Sequence, residues 1–230
     1  MTILHSARWV LFIGSLALAA CTRQPAPVAW ELAAQSASDR AVAAYLKGQT
    51  RVAELQWAEA FDEVAATGQP STMARMALLQ CAAQWAALEA THCQRYQRYA
   101  AGAAPAEQAY ALYLQAKHSA ADVPLLPAAQ QAVALQLLSA PGEIQALPPA
   151  PALSQLTAAG VALRAGRLSP DAVQQAVQVA SAQGWRRAAM AWLLVAQRLA
   201  QQAADTEGMQ AIELRLQVLQ EQQTLENKKK

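Results

Sequence analysis

Charge is scarce in this chain: 15% of its 230 residues are charged, and 18 basic residues stand against 16 acidic ones. So near a balance sets up no long-range field to draw in nucleic acid, and no nucleic-acid partner is expected. Glycines are few and, beyond the N-terminal stretch, isolated, which leaves no phosphate-cradling loop. There is no G-x-S-x-G, and His118 beside Ser119 has no acidic partner that the sequence places. His92 and Cys93 are adjacent, but the second ligand pair of a zinc site is missing. Glu59, Asp62 and Glu63 offer carboxylates for acid and base work, yet their spacing more simply describes a solvated helix face. The expectation is therefore no enzyme, no metal and no cofactor. Long apolar runs are absent too. The stretch from Trp9 to Ala20 falls well short of the roughly 20 residues a membrane-crossing helix needs.

What that stretch does carry is an order. Arg8 and the N-terminal amine come first, the apolar run follows, and Ala19 and Ala20 end it with small residues, the pattern of a secretory signal. Leu18, Ala19, Ala20 and Cys21 read L-A-A-C and resemble the lipobox of bacterial lipoproteins. The resemblance implies a signal peptide over residues 1–20, cleavage between Ala20 and Cys21, and a Cys21 thiol carrying a diacylglycerol, its new amine commonly acylated too. Buried acyl chains, at about 0.8 kcal/mol per CH2, hold a protein on a membrane, and several hold it far better than one. In that family an aspartate after the cysteine favours retention in the inner membrane. Thr22 stands there instead, so the resemblance implies an outer-membrane anchor with the body facing the periplasm.

Removing residues 1–20 takes away only Arg8, leaving 17 basic against 16 acidic residues, a net of +1. The remaining length buries a real core. Alanine and glutamine are abundant and strand-favouring residues few, which predicts an all-α protein. Residues 21–37 are expected to hold the lipidated cysteine and an extended tether, with Pro25 and Pro27 in it.

Apolar residues then recur at steps of three and four. The first helix is expected from Ser38 with Val42, Tyr45 and Leu46. A second follows Gly48 through Val52, Leu55, Phe61 and Val64. A third, capped by Ser71, carries Leu78, Cys81, Trp85 and Leu88, and a fourth opens at Thr91. Prolines crowd residues 118–151, which read as a hinge with one short helix around 128–139. Helix resumes near Leu153, and Ser169 and Pro170 occupy a cap and first helical position. The N-terminal half thus spans 38–117, the C-terminal half 152–226, and a basic tail 227–230.

Short turns make neighbouring helices antiparallel, so each buries its stripe on the next. Gly48, Ala53, Trp57 and Ala60, and again Gly184, Ala189, Leu193 and Ala196, resemble the second half of a tetratricopeptide repeat. The glycine turns the chain, a small residue lets helices approach, and a large one fills the gap beyond. The fold expected is an array of antiparallel helical hairpins, tetratricopeptide-like, in two halves.

Three sets of residues are candidates for more than packing. Cys81 and Cys93 lie about 18 Å apart on a straight helix, but a turn near Ala90 lets them bond. The alternative is that Cys81 is a small core residue. Tyr96 with Tyr99, and Tyr110 with Tyr113, form pairs three apart that can share a binding patch or pack between helices. Arg186 and Arg187 start a helix, where the dipole disfavours them, which points to use or to a solvated rim. Together with the lipobox, these features predict a non-catalytic, membrane-anchored adaptor or assembly factor that binds a protein in the cell envelope, in secretion, pilus or outer-membrane assembly. Regulation of a peptidoglycan-synthesising enzyme is the second reading, and a hydrolase or small-ligand-binding lipoprotein the third.

Overall fold

A computed structural model describes residues 28–89, 92–139 and 141–228. The expected signal peptide, Cys21, the first part of the expected tether up to residue 27, and the last two lysines lie outside the described residues. Those residues form ten α-helices and no strand: α1 Ala29–Leu46, α2 Thr50–Ala65, α3 Pro70–Ala86, α4 Gln94–Gln97, α5 Pro105–Leu114, α6 Ala128–Leu138, α7 Ala152–Arg164, α8 Pro170–Ala182, α9 Arg186–Gln202 and α10 Thr206–Lys228. The protein is all-α. None of these helices is long and apolar enough to cross a membrane.

The two glycine-led segments each supply the second helix of a hairpin, α1–α2 and α8–α9. Gly48 and Gly184 sit at φ +84° and +62°, a left-handed conformation that costs any residue with a Cβ about 1 to 2 kcal/mol. Each closes its helix with a paired motif: Gly48 N–H donates to Tyr45 O and Gln49 N–H to Ala44 O, while Gly184 N–H donates to Ser181 O and Trp185 N–H to Ala180 O. Ala53, Trp57 and Ala60 on α2 and Ala189, Leu193 and Ala196 on α9 are all buried. Small residues thus bring the helices together and large ones fill what remains.

The third contact is between halves. α3 packs along α7, and a Cβ placed on Gly160 would meet the Trp85 carbonyl oxygen at 2.7 Å. Only glycine allows this approach. Thr157 Oγ1 lies 3.2 Å from Ala82 O, and Trp192 Nε1 donates to Ala86 O at 2.9 Å. The last turn of α3 is therefore held by α7 on one side and α9 on the other.

Several expectations are corrected. The tether gives way to helix already at Ala29, because Ala34 and Ala37 are buried on the same stripe as Ala41; a stripe of alanines carries little hydropathy contrast and is easily passed over. Val52 and Leu55 are exposed, at 49% and 63%, since Ala53, Trp57 and Ala60 claim the buried face of α2. Ser71 does not cap α3, which starts at Pro70. Thr91, the expected start of the fourth helix, lies outside the described residues, and the helix bearing Tyr96 is the single turn of α4. Ser169 does cap α8, accepting from Ala172 N–H at 3.2 Å.

Side chains from the rest of the fold take up backbone groups of residues 118–151, the segment expected to be a hinge. Gln175 accepts from Leu147 N–H and donates to Leu147 O, at 2.8 and 3.1 Å. Arg167 donates to Gly142 O and Leu137 O, at 2.6 and 2.9 Å. Ile144 N–H donates to Arg167 O at 2.7 Å, and Ile144, Leu147, Val133 and Leu126 are buried. A buried backbone group left unpaired is costly, so each of these bonds ties the proline-rich segment to the body.

Candidate functional site

The α1–α2 turn, the end of α3 and the start of α9 meet at one place on the surface. Leu88 follows α3 at φ +57° and turns the chain so that Glu89 projects towards both neighbours. Arg187, near the start of α9, reaches across to it. Its guanidinium lies 3.3 Å from Glu89 Oε2, donates to Thr50 Oγ1 at 2.6 Å, and stands 4.3 Å from the centre of the Tyr45 ring. The Tyr45 hydroxyl completes the cluster by donating to the same Glu89 carboxylate. Burial, then the bonded and nearby Glu89 carboxylate, push the Tyr45 phenol well above its ordinary value, and Arg187 offsets this only in part. The phenol therefore keeps its proton and remains a donor.

This cluster is the wall between two clefts. One, of about 470 Å³, is polar and runs past Gln80, Gln84, His92, Arg95 and Arg98. The other, of about 690 Å³, lies against α9 between Arg186, Arg198, Met190 and Leu194. Arg95 stacks over the Phe61 ring at 4.1 Å, and Arg95, Arg98 and Arg198 are exposed. Five arginines and one glutamate thus line two adjoining grooves, a cationic face on a chain whose total charge is close to zero.

The sequence candidates divide clearly. Cys81 and Cys93 are joined in a disulfide that ties α3 to the start of α4, on the floor of the polar cleft. Arg187 is an internal clamp rather than a rim residue: it links segments 98 and 137 positions apart. Arg186 lies beside Gly48. The tyrosines do not make an exposed patch. Tyr96 and Tyr113 are buried and Tyr99 and Tyr110 half-buried, and α4 and α5 both pack onto α3. Tyr110 and Tyr113 stack at 6.0 Å, and the Tyr113 hydroxyl donates to Gln130 Oε1 at 2.7 Å. Burial holds both phenols well above their ordinary value. Glu59 and Asp62 are exposed, and Glu59 pairs with Arg40 at 3.1 Å on the solvated face. Among the described residues, no group of three or more His, Cys, Asp or Glu side chains is placed to hold a metal.

Sequence reasoning missed Glu89, Tyr45, Arg95, Arg98 and Arg198 as parts of one surface. Arg95 and Arg98 are three apart, a spacing that puts them on one side of a turn. Nothing local connects them to α9. What fold and surface define together is a class: an all-helical body of stacked hairpins with an arginine-lined double groove. No family model, curated protein or solved structure matches the chain.

Proposed function

We propose that this chain is a lipid-anchored adaptor of the bacterial cell envelope, held in the outer membrane through acylated Cys21, whose helical body grips an acidic segment of a partner protein in the periplasm. The anchor rests on the residues L-A-A-C at 18–21. The observation that carries the gripping function is the double groove, where Arg95, Arg98, Arg186, Arg187 and Arg198 face one carboxylate, Glu89. Opposite charge there steers and orients a partner more than it adds affinity. Leu194, exposed beside Met190, supplies the apolar contact that a charged rim surrounds in protein interfaces.

Two measurements test the two halves of this reading separately. Intact mass of the purified protein is expected to show a chain starting at Cys21 with lipid attached, and Cys21→Ser is expected to leave the membrane fraction. An unlipidated Cys21 overturns the anchor. Purification of the lipidated protein in mild detergent is expected to retain an envelope partner that dissociates with rising salt and is lost in the Arg98→Glu, Arg198→Glu double variant. Retention that is indifferent to both salt and charge reversal overturns the groove.

A further inference from the structure

Along the seam between α3 and α7, where α5 and residues 125–130 also meet it, lies a pocket of a different character. It has a volume of about 490 Å³ and is walled by Leu79, Leu125, Leu126, Pro127 and Leu153, within the size range of small-molecule sites. Three polar side chains in its lining are at least nine-tenths buried: Glu107, Gln130 and Thr157. Two of them are already spent. Gln130 accepts from Tyr113 and donates to Ser154 O at 3.1 Å, and Thr157 Oγ1 bonds Leu153 O at 2.8 Å.

Glu107 is different. It is 4% exposed, and its Oε1 takes both contacts from Arg75, Nε at 2.9 Å and a terminal nitrogen at 2.8 Å. Its Oε2 is buried without a hydrogen-bond partner. A carboxylate oxygen withdrawn from water and left unpaired is among the costliest arrangements in a fold. Arg75 does not relieve it: that side chain is 74% exposed and spends its bonds on the other oxygen. The pocket therefore combines an apolar wall with one unfilled acceptor, and an acceptor of negative charge at that.

We infer that this pocket is a binding site for an alkylammonium group, whose chain packs against the leucines and whose N–H donates to Glu107 Oε2. A carboxylate can only accept, so the occupant must be a donor. A charged donor makes the shorter and stronger bond, which favours ammonium over hydroxyl. Free aliphatic amines and the lysine side chain of a peptide share this chemistry. The inference is independent of the adaptor reading, since the pocket shares no residue with the arginine-lined groove.

The test is titration of the full chain with n-hexylamine and with n-hexanol, followed by methyl NMR. Hexylamine is expected to bind saturably, to shift the Leu125, Leu126 and Leu153 methyls, and to bind about tenfold more tightly than hexanol. Glu107→Gln is expected to erase that preference, and Leu125→Trp, which narrows the mouth without touching Glu107, to weaken both ligands together. Competition by a short lysine peptide assigns the group to a protein side chain. Failure of that peptide to compete, with hexylamine still bound, assigns it to a free amine. No saturable binding, shifts confined to other residues, or equal preference in wild type and Glu107→Gln overturns the inference.

Discussion

The hairpins α1–α2 and α8–α9 and the stretch from Cys93 to Pro151 are held together in different ways. In the hairpins a glycine turn and a stripe of alanines bring two helices into register, and Trp57 and Trp192 fill the space beyond. Few side-chain hydrogen bonds take part. Between Cys93 and Pro151 the helices are short and the turns irregular, and order depends on particular pins. These are the Cys81–Cys93 disulfide, the Tyr113–Gln130 bond, His118 Nε2 donating to Ala134 O at 3.0 Å, and the Gln175 and Arg167 contacts. The difference teaches that helical periodicity suffices where packing is repetitive, whereas an irregular segment in the same fold is specified bond by bond.

This contrast can be broken from either side. The largest effect is expected from Trp192→Ala, which empties a fully buried site and strands the Ala86 carbonyl; denaturant unfolding should show a loss of about 4 kcal/mol. Reduction of the disulfide should follow, at about 3 kcal/mol for so short a loop. Its signature is spatial: hydrogen exchange should quicken around α4 and the start of α5 while α8 and α9 keep their protection. Uniform loss of protection would mean that the irregular region and the hairpins do not differ as described.

Gly160→Ala tests the seam between them. The added methyl meets the Trp85 carbonyl and should cost about 1 to 3 kcal/mol, read as a shifted midpoint at unchanged slope. The smallest effect concerns the turn at Ser119–Asp122, where the Ser119 backbone N–H and hydroxyl both donate to the Asp122 carboxylate at 2.7 Å. These bonds, the backbone one first, hold the Asp122 carboxyl below its ordinary value of 3.8. Its folded value thus lies under its unfolded one, so the turn gains stability above about pH 4 and loses it as pH falls through the folded value. Carboxyl-carbon NMR should find Asp122 titrating below an ordinary aspartate, and an unshifted titration would remove this pin.

Much of the architecture was legible because its signals are local. Gly48, Gly184, Ser169 and Pro170 act within one turn of the chain, and Val42 and Leu46, four apart, are buried where the period places them. The tyrosines were harder. Spacing puts Tyr110 and Tyr113 on one side of α5 but does not say that Tyr113 is buried against Gln130, a residue 17 positions on. The grooves were harder still, since Glu89 and Arg187 are 98 positions apart, and no pattern of period three or four spans such a gap. Glu107 lies in the first turn of α5, a favoured place for an acid beside the dipole, and nothing in that position marks it as buried. Its burial follows from how α3 and its neighbours close around it.

By itself the sequence determined that the chain is helical and where most helices turn, because composition and capping are read within a few residues; the residues L-A-A-C at 18–21 raise the expectation of a lipoprotein signal in the same local way. Only the tertiary structure decided which side chains bond to the proline-rich segment, that Arg187 clamps α9 to the first hairpin, and that one oxygen of Glu107 is left without a partner. Those facts depend on which distant groups meet, and meeting is settled by close packing of the whole core.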